Sequence, residues 1–230
     1  MVRRHVTSAE ATLERPEPRW PAIVAALSAV ALHFALPADL RMGRRWVVAI
    51  VVVALIAAAN GARRLGYHRV NQLLAYSVLG VLTAGLAFGV LQLVGGVLHH
   101  SVNATTLLQS AGVLWVTNVI VFASWYWRLD AGGPNARERR DAHTRGAFLF
   151  PQMAFFSPND ADVTIAESER WRPHFVDYLF LSFNTSTAFS PTDVPVVSKW
   201  AKMAMMMQSL ISVTTIVLIA ARAVNILPTS

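Results

Sequence analysis

Between Arg69 and Arg128 the sequence carries no Asp, Glu, Lys or Arg, and that uncharged run limits what the chain can fold into. A helix crosses a bilayer with about 20 apolar residues, so the run is too long for one crossing and has the length for two. Charged residues used as boundaries divide the rest of the chain in the same way. Candidate spans lie at 20–38, 46–62, 73–98, 105–127 and 203–221, with the third and fourth separated by His99, His100, Ser101, Val102 and Asn103. Charged residues make up 14% of the chain and hydrophobic ones 54%, whereas a soluble domain has about 25% charged residues. The expectation is an all-α integral membrane protein with five transmembrane helices and a short re-entrant pore helix before the last one.

That short helix is expected from the apolar piece at 178–192, between Asp177 and Asp193. It ends in Ser190, Pro191, Thr192 and Asp193, and proline stops a helix and draws the preceding residue toward extended backbone. The helical part, 174–184, would measure about 16 Å at 1.5 Å per residue, too short for a hydrocarbon core of about 30 Å. A short helix followed by extended chain is tolerated at membrane depth only where protein or a water cavity surrounds it.

The organisation that follows has three parts: a polar tail at 1–19, a three-helix membrane region at 20–104, and a channel-like module at 105–230. Within the module, 105–128 is an outer helix, 129–173 a loop, 174–193 the pore helix and turn, and 199–225 an inner helix. The tail lacks the apolar stretch of a signal peptide, so the first apolar run is expected to stay in the mature protein. The loop contains an apolar patch, Ala147 to Pro151, expected to lie at the membrane interface. Its acids and bases nearly balance, and the net charge of +7 punctuates apolar runs without forming one basic face, so no nucleic-acid partner is expected. With the N-terminus inside, 16 of the 20 basic residues fall on the cytoplasmic side, as the positive-inside rule favours.

Few residues carry chemistry. There are no cysteines, no nucleophile–base pair, no zinc motif and no phosphate-cradling loop, so neither an enzyme nor a metal or cofactor is expected. His99 and His100 read as solvated loop residues. His33, inside the first span, reads as a neutral imidazole bonded to a neighbouring helix, although an intramembrane ionisable residue also raises a functional flag. Gly85 and Gly89 form a GxxxG spacing that lets two helices approach closely. Trp125, Tyr126 and Trp127 read as an interfacial aromatic belt. Met203, Met205, Met206 and Met207 read as packing residues that fill irregular gaps. Gln208, Ser212 and Thr215 share one face of the last helix; this polar stripe either lines a pore or bonds to a neighbouring helix.

The run from Phe180 to Asp193 resembles the pore of the potassium-channel-like superfamily, in which a short pore helix leads into T-x-T-T-V-G-Y-G-D and then the inner helix. Thr185 and Thr187 match the first two threonines, and Asp193 matches the closing aspartate at the same spacing. The tail is also similar to a family of uncharacterised bacterial membrane proteins, through Phe150-Pro151, the run Asp177 to Phe180, and Thr192-Asp193-Val194. The filter glycines are replaced by Ser190 and Thr192 and the tyrosine by Pro191. Glycine permits the backbone angles that aim successive carbonyls at a pore axis, so a potassium-selective filter is not implied. What the resemblance implies is a homotetramer with a weakly selective pathway for small monovalent cations. Thr185, Thr187, Ala188, Phe189, Ser190, Thr192 and Asp193 would form its filter-like segment. The alternative at 190–193 is a simple turn, and with it a non-conducting protein that uses the short helix for packing or docking. Arginine outnumbers lysine 18 to 2, which points to GC-rich coding and a bacterial inner membrane.

Overall fold

The computed structural model describes residues 17–98, 104–139, 146–154, 172–187 and 194–226. Among these, 84% are helical and no strand occurs, so the fold is all-helical. The helices are α1 (Trp20–Ala35), α2 (Arg45–Arg64), α3 (His68–Leu98), α4 (Ala104–Leu129), α5 (Pro134–Glu138), α6 (Pro151–Ala154), α7 (Phe175–Thr187) and α8 (Lys199–Ile226). Four of them, α2, α3, α4 and α8, are long and apolar enough to cross a membrane. The chain is therefore built as a multi-pass membrane protein. At 16 residues, α1 is shorter, about 24 Å long.

Local sequence sets the ends of these helices. Pro21 sits in the first turn of α1, where its missing N–H costs nothing, and Leu36 before Pro37 is extended, with ψ at 146°, as the proline ring demands. Asp177 opens α7 by accepting the backbone N–H of His174 at 2.7 Å, one half of a capping box. Ser198 opens α8 by accepting the N–H of Ala201 at 3.3 Å, the favoured N-cap arrangement. Gly133, at the turn after α4, has φ +86°, and a Cβ there would lie 2.6 Å from the Arg128 carbonyl oxygen, so only glycine fits.

The central post is α4, which packs against α1, α3, α7 and α8. Its buried residues Leu107, Ala111, Leu114, Val121 and Ala123 are shielded by those neighbours. The outward surface is apolar. Trp46 and Ile50 on α2 and Leu210 and Val217 on α8 are all more than half exposed, as lipid-facing residues are. The methionines depart from the expected packing role: Met203, Met206 and Met207 point outward, and Met205 packs against the core.

Packing adds to two other expectations. Tyr126 is fully buried and Trp127 nearly so, so these two side chains pack into protein. Much of the patch at 147–151 does the same. Ala147, Phe148 and Phe150 are buried, because the Phe148 ring sits edge-on to Tyr126, Tyr178 and Trp200. This segment is joined to the stretch before α8 by an antiparallel bridge, Phe148 with Val196.

The two glycines of the GxxxG spacing differ. A Cβ on Gly89 would lie 2.7 Å from Leu114 Cδ2 and 3.3 Å from the Leu40 carbonyl oxygen, whereas one on Gly85 would meet nothing within 4 Å. Overpacking a tight contact costs about 1–3 kcal/mol, while alanine in place of a helical glycine gains up to about 1 kcal/mol. Thermal unfolding in detergent micelles is expected to show Gly89→Val destabilised by about that first amount and Gly85→Ala at or above wild type.

Candidate functional site

The residues singled out on α7 and α8 meet α4 in a buried polar cluster. Gln208, with no exposed surface, is its hub. Its Nε2 donates to the Ser182 carbonyl, Ser182 Oγ and Ser186 Oγ, each at 2.7 Å. Its Oε1 accepts from the Tyr126 hydroxyl at 2.5 Å. Asn118 Nδ2 donates to the Gln208 carbonyl at 3.1 Å and to Ser212 Oγ at 2.8 Å, and Ser182 Oγ donates to the Val119 carbonyl at 2.7 Å. Thr215 is buried, its hydroxyl turned back onto the carbonyls of Ile211 and Ser212. Within one protomer Gln208 and Ser212 of the stripe thus bond to neighbouring helices, and Thr215 bonds to its own.

The cluster holds a helix that stops beside the middle of another. Near its start, Tyr178 of α7 donates to Asp130, just past α4, at 2.6 Å. Farther along, Ser182 meets Val119, Phe183 packs edge-on against Trp115, and Trp115 Nε1 donates to the Ser186 carbonyl at 3.4 Å. The last four carbonyls of a helix have no partner within it. Trp115 takes one, and the Ser209 hydroxyl reaches the Thr185 carbonyl at 3.5 Å.

Thr185 is buried and its hydroxyl donates to the Leu181 carbonyl at 2.8 Å. Thr187 is exposed and donates to the Phe183 carbonyl at 3.0 Å. Both lie inside α7, which extends past Asn184, the expected end, to Thr187. The expected positions Ala188, Phe189, Ser190, Thr192 and Asp193, and likewise His99 and His100, lie outside the described residues. The chain is described again from Val194. There the Leu149 N–H donates to the Pro195 carbonyl and the Val197 N–H to the Ala147 carbonyl, both at 2.9 Å. The Ala147 N–H in turn donates to Asp130 Oδ1.

Beneath the start of α7 lies a second cluster. Arg137, 3% exposed, donates from Nη1 to the carbonyls of Trp127 at 2.8 Å and Asp130 at 2.9 Å. Its Nη2 and Nε grip both oxygens of Glu17 at 3.0 to 3.2 Å. Glu17 also accepts from the Trp127 indole N–H, and the guanidinium lies 5.5 Å from the Tyr178 ring centre. The Tyr178 hydroxyl, beside that guanidinium, donates to Asp130. Sequence reading places Arg137 in a polar loop and Glu17 in a tail. Nothing local pairs residues so far apart.

His33 is buried, and its Nε2 has no hydrogen-bond partner among the described residues, contrary to the expected bond to a neighbouring helix. It borders a cavity of about 20 Å³ shared with Gly85 and Thr117. No group of three His, Asp or Glu side chains that could hold a metal occurs among the described residues.

No family model matches this chain, and no curated protein or solved structure is found similar to it.

Two stability outcomes follow. Gln208→Leu strips four polar groups of their partner, and interhelical hydrogen bonds in membranes average about 0.6 kcal/mol each. Its loss in thermal unfolding is expected to reach about 2 kcal/mol, against about 0.6 kcal/mol for Tyr126→Phe. Arg137→Met leaves the partly buried Glu17 with the Trp127 indole N–H alone and removes the donor to two carbonyls; hydrogen bonds to charged groups are worth about 1.5–3 kcal/mol, and a loss of at least that size is expected in thermal unfolding.

Proposed function

We propose that the chain forms five membrane crossings, α1 being the fifth, with α7 dipping into the bilayer as a re-entrant half-helix. In an assembly of four copies this unit would form a weakly selective pathway for small cations. The observation that carries the reading is a 13-residue helix whose carbonyl end stops beside Trp115, midway along α4. From the level of Asp130 to that of Trp115 the drop along α4 is about 22 Å at 1.5 Å per residue. The seven steps from Thr187 back to Val194 reach about 23–25 Å when extended, enough for the return to the Asp130 end where Val197 pairs with Ala147. A helix C-terminus carries about half a negative charge, so its inward end favours cations. Thr187, exposed at that end, and the segment of Ala188, Phe189, Ser190, Thr192 and Asp193 would then supply the oxygens. A ring of four Asp193 carboxylates selects for positive charge with weak discrimination. The basic end of the bundle, which carries Arg19, Arg63, Arg69, Arg128 and Arg137, would face the cytoplasm of a bacterial cell.

A second reading is a non-conducting membrane protein in which the half-helix serves packing or partner docking. The burial of Gln208, Ser212 and Thr215 inside one protomer supports it, since these side chains are engaged in packing there.

Flux of K⁺ or Na⁺ into liposomes distinguishes the two. The channel reading expects flux from wild-type protein, a several-fold drop in Asp193→Asn, and a four-copy mass in detergent. Absence of flux at every applied potential, or a monomer, would establish the second reading instead.

A further inference from the structure

Three arginines from three different parts of the chain converge at one end of the bundle around an apolar slot, and among the described residues only one of them, Arg19, is paired with a carboxylate. The slot, about 100 Å³, lies between α1, α2, α3 and α4; its walls include Ala22, Ala26, Ile56, Ala59, Val78 and Leu79. Arg19, Arg63 and Arg128 border the same slot. Arg128 is 6% exposed, and among the described residues its hydrogen bonds are two long ones from Nη2, both 3.3 Å, to the carbonyl and side-chain oxygens of Asn71. No carboxylate lies within ion-pair distance of it among the described residues. Arg19 binds Glu138 at 2.9 Å through Nη2, yet its buried Nε has no hydrogen-bond partner. Burying a guanidinium without a countercharge is costly, and among the described residues none lies beside Arg128, so its guanidinium is suited to an anion.

Arg128 also lines the cavity on its other side, about 580 Å³, together with His68, Arg69 and Arg139 and no acidic residue. Around one buried cation there is thus a basic chamber in one direction and a narrow apolar slot in the other. A free anion would use only the first. A molecule that carries a phosphate on a hydrocarbon chain would use both, and basic pockets between membrane helices on the cytoplasmic side take lipid head groups.

We propose that this is a binding site for an anionic phospholipid. Its phosphate sits against Arg128, its head group extends toward Arg69 and Arg139, and part of one acyl chain lies in the slot beside Ala22 and Ala59. The site stands apart from α7 and does not depend on whether the protein conducts.

The test is thermal unfolding of the full chain in non-ionic detergent, titrated separately with phosphatidylglycerol, phosphatidylcholine, glycerol phosphate and inorganic phosphate. Phosphatidylglycerol is expected to raise the melting temperature saturably, with no comparable shift from the other three. Arg128→Gln and Arg63→Gln are each expected to weaken that response about five-fold, the size of one basic contact to an anionic lipid. Ala22→Phe, which fills the slot, should weaken it as well, and Arg44→Gln at the opposite end should not. If Arg128→Gln fails to fold, the partly exposed Arg63 carries the comparison. Equal shifts from phosphatidylglycerol and phosphatidylcholine would overturn the proposal. A shift from glycerol phosphate or inorganic phosphate as large as that from phosphatidylglycerol would overturn the lipid assignment in favour of a free anion. Unchanged responses in Arg63→Gln and Ala22→Phe would also sink it.

Discussion

The last carbonyls of a helix find no donor within it, and where α7 reaches Thr187 beside the middle of α4 the neighbouring helices are arranged around that constraint. Gln208 holds the helix one turn before that end. One side chain on α8 bonds to the Ser182 and Ser186 groups of α7 and accepts from Tyr126 on α4, so three helices are joined at one amide. In an apolar surrounding the alternative to each of these bonds is an unsatisfied polar group. That fixes both the rotation of α8 about its axis and the depth at which α7 stops. Trp115 and Ser209 cover two more carbonyls near the tip.

Below that joint, the Arg137 cluster does a related job with charge. Its guanidinium satisfies two carbonyls at the end of α4, neutralises Glu17 and lies against the Tyr178 ring. The turn after α4, the start of α7 and the segment before α1 are therefore tied to one side chain. Asp130 extends the tie to Ala147, and through the bridge at Phe148 to the approach to α8. The long connection between α4 and α7 is anchored at both ends by these contacts.

Much of this plan is legible in the sequence as position and little as orientation. Charged residues mark where α2 lies to within two residues at each end, because a charge seldom sits in hydrocarbon. The same logic places the start of α3 at Leu73, five residues late: Arg69 lies beyond the apolar stretch, yet nothing stops the helix from including it. Which face of a helix meets which neighbour is not written in spacing alone. Trp125, Tyr126 and Trp127 satisfy every compositional mark of an interfacial belt, but the indole N–H groups of Trp125 and Trp127 find Thr83 and Glu17 inside the protein. Likewise Gln208, Ser212 and Thr215 form a recognisable stripe whose meaning turns on one fact, namely that Ser182 and Asn118 stand opposite it.

The bond between Glu17 and Arg137 spans 120 positions of the chain, which bears on the order of assembly. Glu17 precedes α1 and Arg137 follows α4, so their contact forms only after the first four of the described α-helices have been made. The latch that ties the two halves of this bundle together is therefore among the last to close.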